Sequence, residues 1–247
     1  MRLTERVFLV GSGEPDLATT DTIDSQVYLV DGGDGYLCVD AGAGRSIEAI
    51  LAAVREDGLD PEAIRWVVLT HGHADHAGGA AAWRGALPKV KLAASAEVGG
   101  WLAKGDEVAT SVDRARIAGM YPLDYRLAAC EIDRALADGD VIEVGDVSLK
   151  AIATPGHAAG HLALVGDLEG SATLFSGDAM FPEGRILLQD TWDCDVHDAL
   201  RSVERLSALK PERLFAGHLA PVLSGAQRHF GIALDRIGRM LIPDGLL

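Results

Sequence analysis

Thr70-His71-Gly72-His73-Ala74-Asp75-His76-Ala77-Gly78-Gly79 follows directly on the apolar run Trp66-Val67-Val68-Leu69. A short apolar run bounded by a turn reads as a buried strand. Three histidines and a carboxylate therefore fall within six residues of a strand end. While the backbone stays extended, His71 and His73 point to the same side. Asp75 and His76 follow as the chain bends toward Gly78 and Gly79, where a helix can start. Neutral imidazole nitrogen and carboxylate oxygen are the usual ligands of zinc, iron or manganese. A lone histidine is more often an ordinary surface or core residue, but four metal-capable side chains in six positions read as a binding site.

The 247 residues fit one large domain or two small ones. At this size about 70–75% of the unfolded surface is buried on folding, so a core needs no covalent staples. An apolar share of 48% with interspersed charge describes an ordinary soluble protein. The balance of 22 basic against 37 acidic residues, a net charge of -15, argues against a nucleic-acid partner, which needs basic patches. It argues only weakly against anionic substrates, because a bound metal reverses the local field. Cys38, Cys130 and Cys194 form no close pair and read as small core residues or free thiols. Val7-Phe8-Leu9-Val10 is too short for a signal-peptide core, and no run is long enough to span a membrane. A cytoplasmic location with no membrane partner is the expectation.

Val27–Val30 and Tyr36–Asp40, joined by Asp31-Gly32-Gly33-Asp34-Gly35, read as a hairpin whose glycines serve the turn and not a phosphate cradle. Ser46 is placed to cap a helix with the stripe Ile47, Ile50, Leu51 and Val54, ending near Gly58. A short helix from Gly79 to Trp83 and a strand at Val90–Ala93 follow. Residues from about 97 to 137 carry helical spacings and no strand, and read as a helical insertion serving as a lid or as plain packing. Strands resume at 141–144 and 147–152, then at 162–165 and 172–175. A helix over 196–206, a strand at 213–216 and a helix starting near Ser224, with Ala226, Phe230, Leu234, Ile237 and Leu241 on one face, complete the chain. Two clusters of antiparallel hairpins, each followed by helices with no linker between, predict a single α/β domain over 1–247, a four-layer αββα sandwich.

Three more metal-capable residues repeat the context of the first cluster. His157 follows Ala151-Ile152-Ala153 across Thr154-Pro155-Gly156. Asp178 follows Leu174-Phe175 across Ser176-Gly177, and His218 follows Leu214-Phe215-Ala216 across Gly217. Each time an apolar strand ends, a glycine frees the backbone and a ligand comes next. The motifs THGHADHAGG at 70–79, TPGHAAGH at 154–161, SGDAMF at 176–181 and AGH at 216–218 resemble the metallo-β-lactamase-fold hydrolases over most of the chain.

The resemblance implies the αββα sandwich and two divalent metal ions, with zinc expected first and iron or manganese accepted by the same donors. It places one metal on His71, His73 and His157 and the other on Asp75, His76 and His218, bridged by Asp178. A hydroxide shared by the pair would attack a carbonyl carbon or a phosphorus, with Asp75 as the catalytic group relaying the proton. Asp40 resembles the family's carboxylate that orients the first cluster. His161 lies in the second motif and reads as a structural hydrogen-bonding residue rather than a ligand. Met180, Phe181 and Trp192 follow Asp178 and line a substrate pocket or simply pack. His197 and His229 fall in helical regions and read as surface residues.

Glyoxalase II-type thioesterases resemble the chain through all the ligands and through Gly184-Arg185. They carry a further C-terminal helical domain, whereas here the chain ends soon after one helix, which weighs against a glutathione thioester. Quorum-quenching lactonases resemble it through Asp178-Ala179. In them a tyrosine assists near that position, whereas Phe181 lacks the hydroxyl, so Tyr121 or Tyr125 substitutes only if the insertion folds over the site. Diiron redox members carry Glu where His73 stands, and β-lactam-opening members usually lack the bridging Asp. The expected function is hydrolysis of a small carboxylic ester, thioester or lactone, with phosphoester hydrolysis or a non-hydrolytic metal scaffold as alternatives. The partner is a small molecule, and the family resemblance allows a homodimer.

Overall fold

The computed structural model describes residues 1–15, 17 and 20–246. The chain falls into two compact units, Met1–Leu136 with Glu143–Asp146, and Ala137–Ile142 with Val147–Leu247. Each is built on one sheet.

The first sheet holds β1 (Val7–Gly11), β2 (Val27–Asp31), β3 (Tyr36–Val39), β4 (Ile64–Val68), β5 (Lys91–Ala94) and β6 (Arg134–Ala135), side by side in chain order. The first three strands pair antiparallel, whereas β3 to β6 run parallel. The parallel half departs from the expected antiparallel hairpins. Its cause is the crossover segments, because parallel neighbours need a connection of a dozen or more residues. Here α1 (Ile47–Glu56) links β3 to β4, while α2 (Ala74–Ala77) and α3 (Ala80–Ala86) link β4 to β5. Buried Ile50, Leu51 and Val54 of α1 and Trp83 of α3 pack with Val10, Leu29, Val67 and Leu92 on one sheet face. Val7, Leu9, Val30 and Leu37, on the alternate face, are buried as well, and sheets buried on both faces read as continuous apolar runs. Val7–Val10, short by the measure of a signal peptide, is therefore a fully buried strand. Ser46 precedes α1 as expected but does not cap it; its hydroxyl donates to the buried Asp24 carboxylate instead.

Residues 97–137 are less helical than their spacing predicts. They hold most of α4 (Ala96–Leu102), α5 (Val112–Ile117) and the strand β6, with turns between. Gly105 and Gly119 adopt positive φ and break the helices up, so Val108 and Ile117 are exposed although Val112 and Leu127 are buried.

The second sheet has the order β11-β10-β9-β8-β7, from β7 (Val141–Val144), β8 (Val147–Ala153), β9 (Leu162–Leu168), β10 (Ser171–Gly177) and β11 (Arg213–Ala216). The last two residues of β7 and the turn after it belong to the first unit. β8, β9 and β10 are antiparallel neighbours, and β11 joins β10 in parallel after the crossover helix α6 (Val196–Ala208). The Asp195 side chain caps α6 by accepting from the Asp198 N–H at 2.9 Å. Val203 and Leu206 of α6, with Phe230 and Ala233 of α7 (Gln227–Gly238), cover Ile152, Ala163, Leu174 and Leu214. α7 starts after Ala226 and not at Ser224, and its buried stripe includes His229. That residue is not on the surface as expected, because its Nδ1 accepts the Glu183 N–H at 2.8 Å. His197 is exposed. The two sheets, each with its own helices, supply the αβ and βα halves that the predicted sandwich requires.

One glycine shows how tightly the second unit is drawn. Gly156 has φ +129, and a Cβ there would lie 2.1 Å from the backbone nitrogen of Ala199 in α6. Its carbonyl accepts from the Asp195 N–H at 2.8 Å. Gly156→Ala combines a disfavoured backbone conformation with a backbone clash and is expected to cost about 2–5 kcal/mol. At roughly 2–4 °C per kcal/mol for a chain of this size, a thermal melt resolves the loss easily; an unchanged melting temperature would mean that α6 moves away at no cost.

Candidate functional site

The first unit gathers His71, His73, Asp75 and His76 at the end of β4. β4 ends at Val68, the chain bends through Thr70, His71 and Gly72 instead of staying extended as expected, and α2 follows His73, which keeps Asp75 and His76 in reach of the first two. Beyond α2, Gly79 lets the backbone after β3 approach closely: its N–H donates to Gly42 O at 2.7 Å, and a Cβ would lie 2.1 Å from Ala41 O. His71 Nε2 and His73 Nδ1 lie 3.1 Å apart, and His76 Nε2 lies 3.5 Å from Asp75 Oδ2. For metal–nitrogen bonds of 2.0–2.1 Å at a tetrahedral angle, two ligand atoms sit about 3.3 Å apart. Both separations fit that requirement.

Asp40 organises this cluster from below. It is the first residue after β3, held at φ +65, and its carboxylate is buried. It accepts from the Thr70 N–H at 2.7 Å, from the Thr70 hydroxyl at 2.9 Å and from His76 Nδ1 at 2.8 Å. A carboxylate facing these groups is an acceptor, so the His76 proton is on Nδ1. Because the Thr70 O–H points at Asp40, its oxygen accepts from His71 Nδ1 at 3.0 Å. Both imidazoles are thus held as Nδ1–H tautomers with the lone pair on Nε2, the form a metal ligand needs. Thr70 acts as the relay in this arrangement. Its residue type alone predicts no such role, although its place between a strand end and His71 is the available signal.

Tyr121 reaches the same cluster from the 97–137 segment. Its hydroxyl donates to Asp75 Oδ1 at 2.6 Å, and its oxygen accepts from the Asp75 N–H at 3.2 Å. Burial, with the Asp75 carboxylate beside it, pushes the phenol well above its usual pKa, so it remains a donor at neutral pH. The Tyr125 hydroxyl donates elsewhere, to Ala43 O at 2.9 Å.

The second unit gathers His157, Asp178 and His218. Asp178 Oδ2 lies 3.6 Å from His157 Nε2 and 3.5 Å from His218 Nε2, so one carboxylate oxygen sits between two imidazoles. His157 Nδ1 donates to Leu187 O at 3.0 Å, which again sets the lone pair on Nε2. His161 is held the other way round. Its Nε2 accepts from the Asp178 N–H at 3.1 Å while Nδ1 donates to Thr154 Oγ1 at 2.8 Å. A ring whose lone pair serves a backbone N–H in this way supports Asp178. Met180 lies in the core under α6 and α7. Phe181 packs with Leu187 and Ala216, its ring 6.3 Å from that of His218. Trp192 is 61% exposed.

The model of the metallo-beta-lactamase superfamily matches residues 21–218. The chain belongs to this superfamily. Among its curated relatives in the metallo-beta-lactamase superfamily is the hydroxyacylglutathione hydrolase of Acidiphilium cryptum, 34% identical over 197 residues that cover 79% of this chain and 64% of the relative. The beta-lactamase-like protein 2 homolog of Caenorhabditis elegans is 28% identical, over 81% of this chain and 57% of its own length. The chain thus spans less than two thirds of these relatives. Among solved structures, a subclass B3 metallo-beta-lactamase of Bradyrhizobium japonicum superposes with TM-score 0.74 at 21% identity, covering 97% of this chain and 91% of that one. A metallo-beta-lactamase family protein of Thermus thermophilus gives 0.73 at 24%, over 97% and 82%. At these identities the structural likeness speaks for the fold, which is the α/β metallo-beta-lactamase fold expected from the motifs. No helix among the described residues is long and apolar enough to cross a membrane.

Proposed function

We propose that this chain is a metal-dependent hydrolase of a small carboxylic ester, thioester or lactone, and that its two histidine–aspartate clusters act together. In this reading His71, His73 and His157 hold one divalent cation, Asp75, His76 and His218 hold a second, and Asp178 contacts both. The observation that carries it is the tautomer pattern: His71, His76 and His157 are each fixed through Nδ1 by a protein acceptor, leaving Nε2 as the ligand atom. Structural histidines need no such common handedness. Zinc suits the donor set, as do iron and manganese.

When bound, a cation pair supplies a water made nucleophilic at neutral pH and positive charge for the oxygen that turns negative. The chain's own residues do the rest. Asp75 takes up the proton at its carboxylate, Asp40 and Thr70 keep His71 and His76 in the ligand tautomer, and His161 holds the backbone of Asp178. The name hydroxyacylglutathione hydrolase, borne by relatives at 30–34% identity, supports a thioester as first choice, since an acylglutathione is one. The acidic net charge supports a small-molecule substrate over nucleic acid, and we place the protein in the cytoplasm.

Metal-reconstituted protein should hold two ions per chain and turn over a thioester or lactone reporter, with activity lost to a chelator and restored by metal. Bis-p-nitrophenyl phosphate serves as the comparison. Preferential turnover of the phosphodiester would overturn the ester reading, and metal-bound protein inert toward all three would overturn hydrolysis.

A further inference from the structure

We propose that Tyr121 is a positioning residue for Asp75: its phenol clamps the carboxylate so that Oδ2, and not Oδ1, is the oxygen offered to the metal beside His76. The proposal rests on the reading of Asp75 as a ligand and goes beyond it, because the tyrosine lies 46 residues away in a segment that contributes no ligand.

The clamp has two points. The phenol oxygen accepts the Asp75 backbone N–H at 3.2 Å and donates to Asp75 Oδ1 at 2.6 Å. A carboxylate torsion is otherwise broad and two-fold, so either oxygen would serve. Engaging Oδ1 and the N–H of the same residue together removes that freedom. It leaves Oδ2 as the oxygen 3.5 Å from His76 Nε2.

The segment is braced so that the phenol arrives in place. Tyr121 is 9% exposed, and its ring lies 5.3 Å from that of Tyr125. The Arg116 guanidinium donates to Tyr125 O at 2.8 Å and to Glu107 Oε2 at 2.6 Å, while Glu107 Oε1 accepts from the Leu127 N–H at 3.1 Å. Burial raises the Glu107 carboxyl pKa, but the Arg116 and Leu127 hydrogen bonds outweigh it and leave the value below normal, so this brace is charged at neutral pH. The 97–137 segment thereby serves the first cluster as a holder, whatever else it covers.

The test is metal titration of apo wild type and Tyr121→Phe, using zinc against a competing chromophoric chelator and cobalt for its absorption spectrum. In wild type two equivalents bind. In the variant the first equivalent should bind as in wild type and the second about 10-fold or more weaker, the scale typical for loss of a hydrogen-bond partner behind a ligand. The cobalt spectrum of the second equivalent should shift, and kcat should fall while KM stays within about twofold, since the clamp acts on the reacting centre and not on substrate binding. A variant whose second equivalent and spectrum match wild type overturns the clamp and leaves the hydrolase reading standing. Equal weakening of both equivalents assigns Tyr121 a general structural role and likewise overturns it. Wild type that binds fewer than two ions overturns the dinuclear reading itself, and the clamp with it.

Discussion

Asp178→Ala is expected to reduce the metal content from two ions per chain to one and to lower kcat/KM by on the order of 10³-fold, about 4 kcal/mol of transition-state stabilisation. The expectation comes from a single atom. Asp178 Oδ2 stands 3.6 Å from His157 Nε2 and 3.5 Å from His218 Nε2, and the proposed arrangement assigns those two histidines to different cations. Removing the oxygen between them removes a ligand from each and withdraws negative charge from a buried position, where charge is weakly screened. Asp178→Asn separates the two effects: it keeps the size and the backbone N–H that His161 accepts but carries no charge. The asparagine variant should lose nearly as much activity as alanine. Elemental analysis alongside single-substrate kinetics is the measurement. Two ions retained in Asp178→Ala would remove the bridging role.

Asp40→Ala is expected to be the most damaging substitution for stability among the site residues, at about 3–5 kcal/mol, although Asp40 is assigned no metal. The carboxylate is 2% exposed and satisfies the Thr70 N–H, the Thr70 hydroxyl and His76 Nδ1. Truncation leaves three buried donors without their acceptor, and each such group costs about 1–3 kcal/mol. The same change unlocks the tautomers of His71 and His76, so metal affinity should fall about 10–100-fold. Asp40→Asn tolerates the φ of +65 but replaces one accepting oxygen with a donor. It should therefore recover much of the stability while leaving metal binding impaired. Denaturant unfolding of the apo proteins and metal titration of each variant check the two halves separately. Equal recovery of both in Asp40→Asn would mean that Asp40 only fills space.

Local pattern made much of this protein legible. Apolar runs announced β4, β10 and β11 because strand burial writes itself into consecutive residues, and apolar alternation announced β8. Each metal-capable residue was found because it follows such a run across a short turn. The hairpin of β2 and β3 and the stripe of α1 were equally plain. Composition argued against a nucleic-acid partner, and the motifs pointed to the superfamily that the family model then matched.

Three features were settled only by tertiary structure. The parallel pairing of β3 with β4 and of β10 with β11 depends on where the crossover helices lie. The hydrogen bond of His161 to Asp178 depends on which backbone N–H its lone pair meets. The contact of Tyr121 with Asp75 depends on how a segment with broken helices folds back over 46 residues. Periodicity records which side of an element is buried, and spacing records what lies within one turn or strand. Hydrogen bonds between distant elements leave no such trace, because any of several acceptors or donors along the chain would satisfy the same pattern until packing selects one.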